Sequence, residues 1–351
     1  MVPLIDLARR HTAHSEEFRT AVHEILQSGS VLLGARTETF EAEFAEFVGV
    51  HHAVAVSNGA SAIQLSLAAL DIGPGDEVLV PAMTAVPTAT AVCAVGATPV
   101  FVDVDDRTAA LDPVQVERRM TRRTSAIIGV HLYGRPLRVT DDLLRHGVPL
   151  IEDCAQSHGA TRALSGRVGA YSFYPTKNLG GIGDGGMVVT NDADLANRVR
   201  RLRAHGQTAQ YLHVEVSQNH RLSEIEAAWL SIQLRHLAGG NARRREIAHR
   251  LRSAAPNLAW QSDDVDHVHH LAVFRIAERE RVRERLLGLG VSSGVHYPRA
   301  LTEQPALSQY VGWSCPTAEN WAAECISVPC FPELTDAEVD HVASALGSLT
   351  K

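Results

Sequence analysis

Short apolar runs alternate with amphipathic stretches through the first half of the 351-residue chain. Their Val, Ile and Leu content predicts strands over 53–56, 77–80, 98–104, 125–132 and 148–153. The segments between them predict helices over 61–70, about 84–95 and about 113–121. This alternation is typical of a mainly parallel sheet with helices on both faces, so the predicted fold class is α/β.

The pattern changes after Ala170. A glycine-rich loop at 180–186 precedes a strand and a helix over about 192–205. Residues 221–252 predict one or two long helices broken near Gly239 and Gly240, because glycine weakens a helix interior. A strand at 271–276, a helix at 278–288 and a final helix after Asp336 complete the pattern.

The change in pattern and the length of the chain favour two domains. We predict a large domain over 31–240 and a smaller α+β C-terminal domain over 241–351. Residues 1–30 are expected to pack with the small domain. The chain has neither repeats nor a low-complexity linker, so the boundary rests on the element pattern alone.

Composition and charge exclude several classes. A hydrophobic content of 45% is ordinary for a globular protein, and a net charge of -7 argues against nucleic-acid binding. No apolar run reaches the ~20 residues of a membrane span, and the first residues do not resemble a signal peptide. Five cysteines without a CxxC pair predict reduced thiols in the cytoplasm. His267, His269 and His270 are interpreted as solvated or packed side chains, and no metal site is predicted.

Lysine is almost absent from the sequence. Lys177 and Lys351 are the two lysines among 33 basic residues. A coding bias can replace lysine by arginine wherever a positive charge suffices, but guanidinium stays protonated and is a poor nucleophile. Lys177 is therefore a candidate for a function that requires a primary amine.

Three segments carry candidate chemistry. Ser57–Ser61 lies between a strand and a helix, where free N–H groups suit a phosphate, although an ordinary helix cap by Asn58 or Ser61 is the simpler interpretation. Asp153 ends a strand at an edge where α/β sheets bind ligands; it can pair with a pyridine nitrogen or serve a turn. Lys177 follows a strand and precedes a run of glycines, which fits a lysine that forms a Schiff base with pyridoxal phosphate (PLP).

The chain resembles the DegT/DnrJ/StrS family of sugar aminotransferases over nearly its whole length. The resemblance is carried by the motifs GPGDEV (73–78), PVFVDVD (99–105), HLYG (131–134), EDCAQSHGA (152–160), SFYPTKNLGGIGDGG (172–186) and NHRLSEIEAA (219–228). It implies the PLP fold type I, with a seven-stranded sheet in the large domain. It also implies transfer of an amino group from glutamate or glutamine to a nucleotide-linked keto sugar or keto-cyclitol.

The resemblance also implies roles for residues at matching positions. Lys177 would bind PLP covalently and move a proton, and Asp153 would pair with the pyridinium. The expected cofactor contacts are Gly59, Ala60, Ser61, Ala85, Gln156 (to the ring oxygen), Ser172 and, from the neighbouring subunit of a homodimer, Asn219. The expected substrate contacts are His296, Tyr297 and Arg221.

Two departures from the family pattern bear on this interpretation. Ala60 stands where threonine is usual, and Ala85 stands where many members have an aromatic residue stacked on the cofactor. Three alternative functions fit the sequence less well. Sugar dehydratases on the same fold carry histidine at the Schiff-base position, and a regulatory relative would lose Lys177 or Asp153. A nicotinamide dehydrogenase would need a glycine fingerprint that the chain lacks.

Overall fold

The structure is a computed structural model that describes residues 1–160 and 164–350. The α-helices are α1 Leu7–Ala13, α2 Ser15–Ser28, α3 Ala35–Val48, α4 Gly59–Ala69, α5 Val86–Ala94, α6 Pro113–Arg119, α7 Asp141–Leu144, α8 Ala193–Leu202, α9 Glu224–Ala254, α10 Arg279–Gly288, α11 Pro316–Glu324 and α12 Asp336–Gly347. The strands are β1 His52–Val56, β2 Glu77–Pro81, β3 Thr98–Val102, β4 Thr124–Val130, β5 Leu150–Asp153, β6 Val168–Ser172, β7 Gly186–Thr190, β8 Gln207–Ala209, β9 Leu212–His213, β10 Ala259–Trp260, β11 Ala272–Arg275 and β12 Cys325–Val328.

A seven-stranded sheet with the order β1-β7-β6-β5-β4-β2-β3 forms the centre of the large part of the chain. The pairs β3–β2, β2–β4, β4–β5 and β5–β6 are parallel, and β7 runs antiparallel to both of its neighbours. The carboxyl ends of β1, β2, β4, β5 and β6 therefore meet at one edge. The mainly parallel α/β architecture that the sequence predicted is confirmed.

Side chains of each central strand enter two separate cores. Along β1, Val54 and Val56 belong to the core that includes α4, while Ala53 and Ala55 belong to the core that includes α3 and α9. This is the alternation that a pleated strand imposes. Because helices cover both faces, the strands are apolar runs rather than alternating ones.

The C-terminal part has its own core. The antiparallel sheet β10-β11-β12 packs with α12 and the second half of α9 around Phe274, Ile247 and Leu346. Val2 belongs to this core and pairs with Val291, whereas Ile25 of α2 packs on the first half of α9. The proposed division at residues 30 and 240 stays a prediction.

The expected break near Gly239 and Gly240 was wrong, because α9 runs without interruption from Glu224 to Ala254. Each glycine costs a helix about 1 kcal/mol relative to alanine. Leu237 and Asn241 on either side are buried, so packing of the helix outweighs this cost. The shorter elements differ from their predicted bounds by a few residues, and helices α1–α3, α7 and α11 had no counterpart in the pattern analysis. Among the described residues, every helix is too short or too polar to cross a lipid bilayer.

Candidate active site

Six of the residues singled out from the sequence line one cavity at the carboxyl edge of the large sheet: Gly59, Ala60, Ala85, Asp153, Ser172 and Lys177. Its volume is about 310 Å³. Four segments contribute: the start of α4, the start of α5 with its N-cap residue, the end of β5, and the end of β6 with the β6–β7 connection. The lining residues are Asn58, Gly59, Ala60, Ile63, Ala85, Pro87, Thr88, Asp153, Ala155, Ser172, Tyr174, Lys177 and Asp184.

The start of α4 lines this cavity with Gly59, Ala60 and Ile63. The Asn58 side chain accepts a hydrogen bond from the Ser61 N–H at 2.8 Å, so Asn58 does cap the helix. The cap leaves the N–H groups of Gly59 and Ala60 without partners inside the helix. A Cβ on Gly59 would lie 2.6 Å from Cβ of Ser172, so glycine is required for this close approach. The cap and the phosphate-binding interpretations are therefore compatible.

Ser61, an expected cofactor contact, is not among the residues that line the cavity. It is buried, and its hydroxyl is 3.0 Å from Ser57 Oγ and 2.9 Å from Nδ1 of His220. Burial lowers the pKa of His220, which keeps the ring neutral at pH 7. His220 supports the first turn of α4 from behind, and sequence reasoning missed it because it lies 159 residues from Ser61.

Asp153 also lines this cavity, and its carboxylate is held by two donors. Thr88 Oγ1 donates to Oδ2 at 2.8 Å, and the Ala155 N–H donates to Oδ1 at 3.1 Å. Thr84 lies behind Thr88 with a hydroxyl separation of 3.1 Å. Burial raises the pKa of Asp153, and these hydrogen bonds oppose the rise. Thr88 is a second residue that sequence reasoning missed.

Lys177 lines the same cavity. The side chain is half-buried, and desolvation lowers the pKa of its amine from 10.5 to about 8, while Asp153 opposes the shift. The described residues provide no hydrogen-bond partner for the side chain. An amine with a pKa near neutral can act as a nucleophile and as a proton carrier.

The loop that carries Lys177 is held from two sides. Arg10 donates to the carbonyl of Pro175 at 3.1 Å and to that of Lys177 at 3.0 Å. Glu226 of α9 accepts the N–H of Ile182 at 2.9 Å. Burial raises the pKa of Glu226 to about 7. Both holding residues come from helices distant in sequence.

Gln156 does not border the cavity directly. Its Oε1 accepts the Tyr133 N–H at 2.6 Å, and its Nε2 donates to the Tyr297 hydroxyl at 2.9 Å. Tyr133 has a φ of 63°, a left-handed conformation that is uncommon outside glycine. One N–H of the Gln156 amide remains for a ligand, so its contact to the cofactor ring oxygen stays a prediction.

A second cavity of about 350 Å³ shares Tyr174 and Lys177 with the first. His296 and Tyr297, which the sequence analysis assigned to the substrate, both line it. The other lining residues are Leu4, Ile5, Thr176, Arg244, His270, Leu271, Val328, Cys330 and Phe331.

Asn219 and Arg221 line neither cavity of their own chain. Asn219 is exposed, and its Oδ1 accepts hydrogen bonds from the backbone N–H of Arg221 at 3.2 Å and from Nε of Arg221 at 3.0 Å. This position agrees with a role toward a neighbouring subunit, which stays a prediction.

The space beside Ala85 remains open. Ala85 and Pro87 line the first cavity, whereas Met83 is fully buried in the core and Val86 packs against that core. Neither Met83 nor Val86 borders the cavity, so the bulky side chain missing at Ala85 is not replaced by either of them.

Several histidines are packed as part of the structure. His267 and His269 are buried and stack with ring centres 3.8 Å apart. His131 lies 3.0 Å from Glu152 and accepts the Leu137 N–H at Nδ1, which makes Nε2 the donor to the carboxylate. These two residues and Cys154 bring possible metal-binding atoms within 4.8 Å of one another, but the ring nitrogens of His131 are already hydrogen-bonded.

The residues of the first cavity fit PLP. The free backbone N–H groups of Gly59 and Ala60 can bind a phosphate. The Asp153 carboxylate can pair with a protonated pyridine nitrogen, and the Lys177 amine can react with an aldehyde carbon. A Cβ on Gly59 would lie 2.6 Å from Cβ of Ser172, which also lines the cavity. The fold and the site together define the class of α/β aminotransferases.

The family follows from comparison with known proteins. The chain belongs to the DegT/DnrJ/EryC1/StrS aminotransferase family, whose sequence profile matches residues 12–347.

Individual relatives are similar along their whole length. A UDP-N-acetyl-3-dehydro-alpha-D-glucosamine 3-aminotransferase of Acidithiobacillus ferrooxidans is 39% identical over 98% of this chain and 97% of its own. A dTDP-3-amino-3,4,6-trideoxy-alpha-D-glucose transaminase of Streptomyces venezuelae is 41% identical over 98% of this chain and 95% of its own. The crystal structure of S. venezuelae DesV in complex with a ketimine intermediate superposes with a TM-score of 0.96 at 40% identity, covering 100% of this chain and 98% of that one.

Proposed function

We propose that this aminotransferase uses PLP and transfers an amino group from glutamate or glutamine to a nucleotide-linked keto sugar or keto-cyclitol. The product would enter amino sugar or secondary-metabolite biosynthesis. The observation that carries the proposal is the single internal lysine, with a lowered pKa, in one cavity with Asp153 and the start of α4. The names of the relatives from A. ferrooxidans and S. venezuelae, which refer to UDP- and dTDP-linked sugars, support the acceptor class.

Each residue would contribute a defined step. Gly59 and Ala60 would bind the phosphate through backbone N–H groups, with the Ser172 hydroxyl beside them. Asp153 would hold a proton on the pyridine nitrogen, so that PLP, when bound, supplies an electron sink. Lys177 would attach the cofactor through Nζ and, as a free amine, would carry a proton between the substrate carbon and the cofactor carbon.

Rival functions are less well supported. The sugar dehydratases that resemble this family have histidine where Lys177 stands, and a regulatory relative would not need Lys177 and Asp153 together in one cavity. A nicotinamide dehydrogenase would bind a dinucleotide at a glycine fingerprint after the first strand. Here the first strand is followed by Ser57, Asn58 and Gly59.

We also propose a cytoplasmic homodimer with shared active sites. The exposed position of Asn219, outside the cavities of its own chain, supports a contact with the partner site. The five free cysteines support a reducing compartment.

The experiment follows absorbance of the cofactor. The pyridoxamine phosphate form is mixed with a panel of UDP- and dTDP-linked keto sugars, and one of them should restore the aldehyde spectrum. Borohydride reduction should fix the cofactor mass to the peptide that contains Lys177, and Lys177→Arg should prevent this labelling. A cofactor mass on Lys351 would refute the role of Lys177. No response to any keto sugar would refute the proposed acceptor class.

A further inference from the structure

The second cavity has a chemical character of its own. Within the described part of the chain its lining contains no Asp or Glu, and Arg244, His270, His296 and Lys177 supply its basic groups. Leu4 and Ile5 of the N-terminal segment and Leu271, Val328 and Phe331 supply apolar walls. A small ligand that is both anionic and partly aliphatic matches such a lining.

Arg244 brings a buried positive charge to this cavity. It is 2% exposed, and its Nη1 donates to backbone carbonyls, among them those of His269 and His270 at 3.3 Å each. Nη2 has no hydrogen-bond partner among the described residues. Burial lowers the pKa of Arg244 to about 10, so the side chain is still a cation at pH 7.

The described residues place no carboxylate in a salt bridge with Arg244. Glu333 is the carboxylate in its surroundings that raises its pKa, and Glu333 already pairs with Arg10 at 3.5 Å. A buried charge without a counter-ion is costly, and a bound anion would relieve that cost.

His270 adds a hydrogen-bond acceptor to the cavity, whereas Arg244 adds donors. Asn178 uses its Nδ2 to donate to Asn241 and to the carbonyl of Val268, so its Oδ1 is an acceptor. Nδ1 of His270, 3.2 Å from this oxygen, is therefore the donor. Burial lowers the pKa of His270 and keeps the ring neutral, which leaves Nε2 as a hydrogen-bond acceptor.

His296 does not add a second positive charge. Burial lowers its pKa to about 4, and its Nδ1 is 2.9 Å from Ser327 Oγ. Apart from Lys177, the cavity therefore holds one permanent cation, in Arg244. One cation and one acceptor match the carboxylate and the amine of an amino acid better than they match the two charges of a diphosphate.

We propose that the second cavity is the amino-donor subsite, in which Arg244 binds a carboxylate of the donor and His270 accepts a hydrogen bond from its amine. The proposal rests on the aminotransferase function given above. Lys177 borders both cavities, so the donor amine lies next to the same side chain that faces the cofactor cavity. The apolar walls accommodate the methylene groups of glutamate or glutamine.

The test separates the two half-reactions. In the PLP-loaded dimer, Arg244→Gln removes the charge, and a charge-assisted hydrogen bond contributes about 1.5–3 kcal/mol. The Kd of L-glutamate, from the donor half-reaction followed by cofactor absorbance, should therefore rise about 10- to 100-fold. The keto-sugar half-reaction of the pyridoxamine form should change by less than about threefold.

Arg203→Gln is the matched control. Arg203 is also buried, forms a salt bridge with Glu41 and donates to the carbonyl of Ala55 at 2.9 Å, but it lies outside both cavities. It should lower the melting temperature without changing the donor Kd. A folded Arg244→Gln protein with the original donor Kd, or with both half-reactions equally impaired, would overturn the proposal.

If Arg244→Gln does not fold, a substitution at a different residue of the cavity lining tests the proposal instead. Ile5→Trp fills the cavity and leaves the guanidinium in place, so it should also raise the donor Kd; an unchanged Kd would refute the assignment. The donors L-glutamate, L-glutamine and L-alanine are compared to show which carboxylate is bound. If no keto sugar reacts even with the unmodified protein, the acceptor proposal fails, while the donor half-reaction still decides the role of Arg244.

Discussion

The lowered pKa of Lys177 predicts how the protein without cofactor captures PLP as pH changes. A lysine of pKa 10.5 is unprotonated in about one molecule in 3,000 at pH 7, and one of pKa about 8 in about one in ten. The reactive fraction at pH 7 is therefore about 300-fold larger than for an ordinary lysine. The rate of covalent capture should rise about tenfold per pH unit below pH 8 and level off above it.

Stopped-flow absorbance at several pH values measures this rate directly. A small primary amine of ordinary pKa, treated in the same buffers, corrects for titration of PLP itself. Asp153→Asn provides an internal check, because Asp153 raises the pKa of Lys177 against the effect of burial. Removing that charge should move the midpoint to lower pH. A midpoint near 10, or an upward shift in Asp153→Asn, would show that burial does not control the amine.

The other predictions concern the surroundings of Lys177. Thr88→Val removes the hydroxyl that donates to Asp153 at 2.8 Å and should lower kcat about 10- to 100-fold with little change in melting temperature; an unchanged kcat would mean that Ala155 alone holds the carboxylate. Asp153→Asn should lower kcat by about 100-fold or more, ~3 kcal/mol. Ala85→Phe should fit the open face, bind PLP up to about tenfold more tightly and slow turnover of the native acceptor; tighter binding with full turnover would contradict this. Mixed dimers of Lys177→Ala and Asn219→Ala subunits should exceed the mean activity of the two parents, and demonstrated exchange without recovery would place Asn219 in its own site.

Local pattern predicted the central strands of the large sheet and singled out Asp153 and Lys177, which line one cavity. The run from β1 to β5 could be predicted because parallel strands buried on both faces need continuous apolar side chains. Asp153 could be predicted because it ends such a strand. Lys177 stood out because an arginine-rich composition leaves lysine where an amine is required.

The continuity of α9 shows where local pattern failed. Gly239 and Gly240 favour a break by intrinsic propensity, yet the helix is stabilised by cores that come from distant segments. Packing of this kind cannot be inferred from the helix itself, since most helix stability in proteins comes from tertiary contacts.

The residues that hold the site in place could be identified only from the tertiary structure, for the same reason. Thr88 is 65 residues from Asp153, and His220 is 159 residues from Ser61. Nothing in the neighbourhood of either residue marks it as functional, because its partner is defined only when the strands and helices pack. Arg244 is the clearest case. In the sequence it is one arginine among many on a long helix, and only folding buries its charge at a cavity that Lys177 also lines.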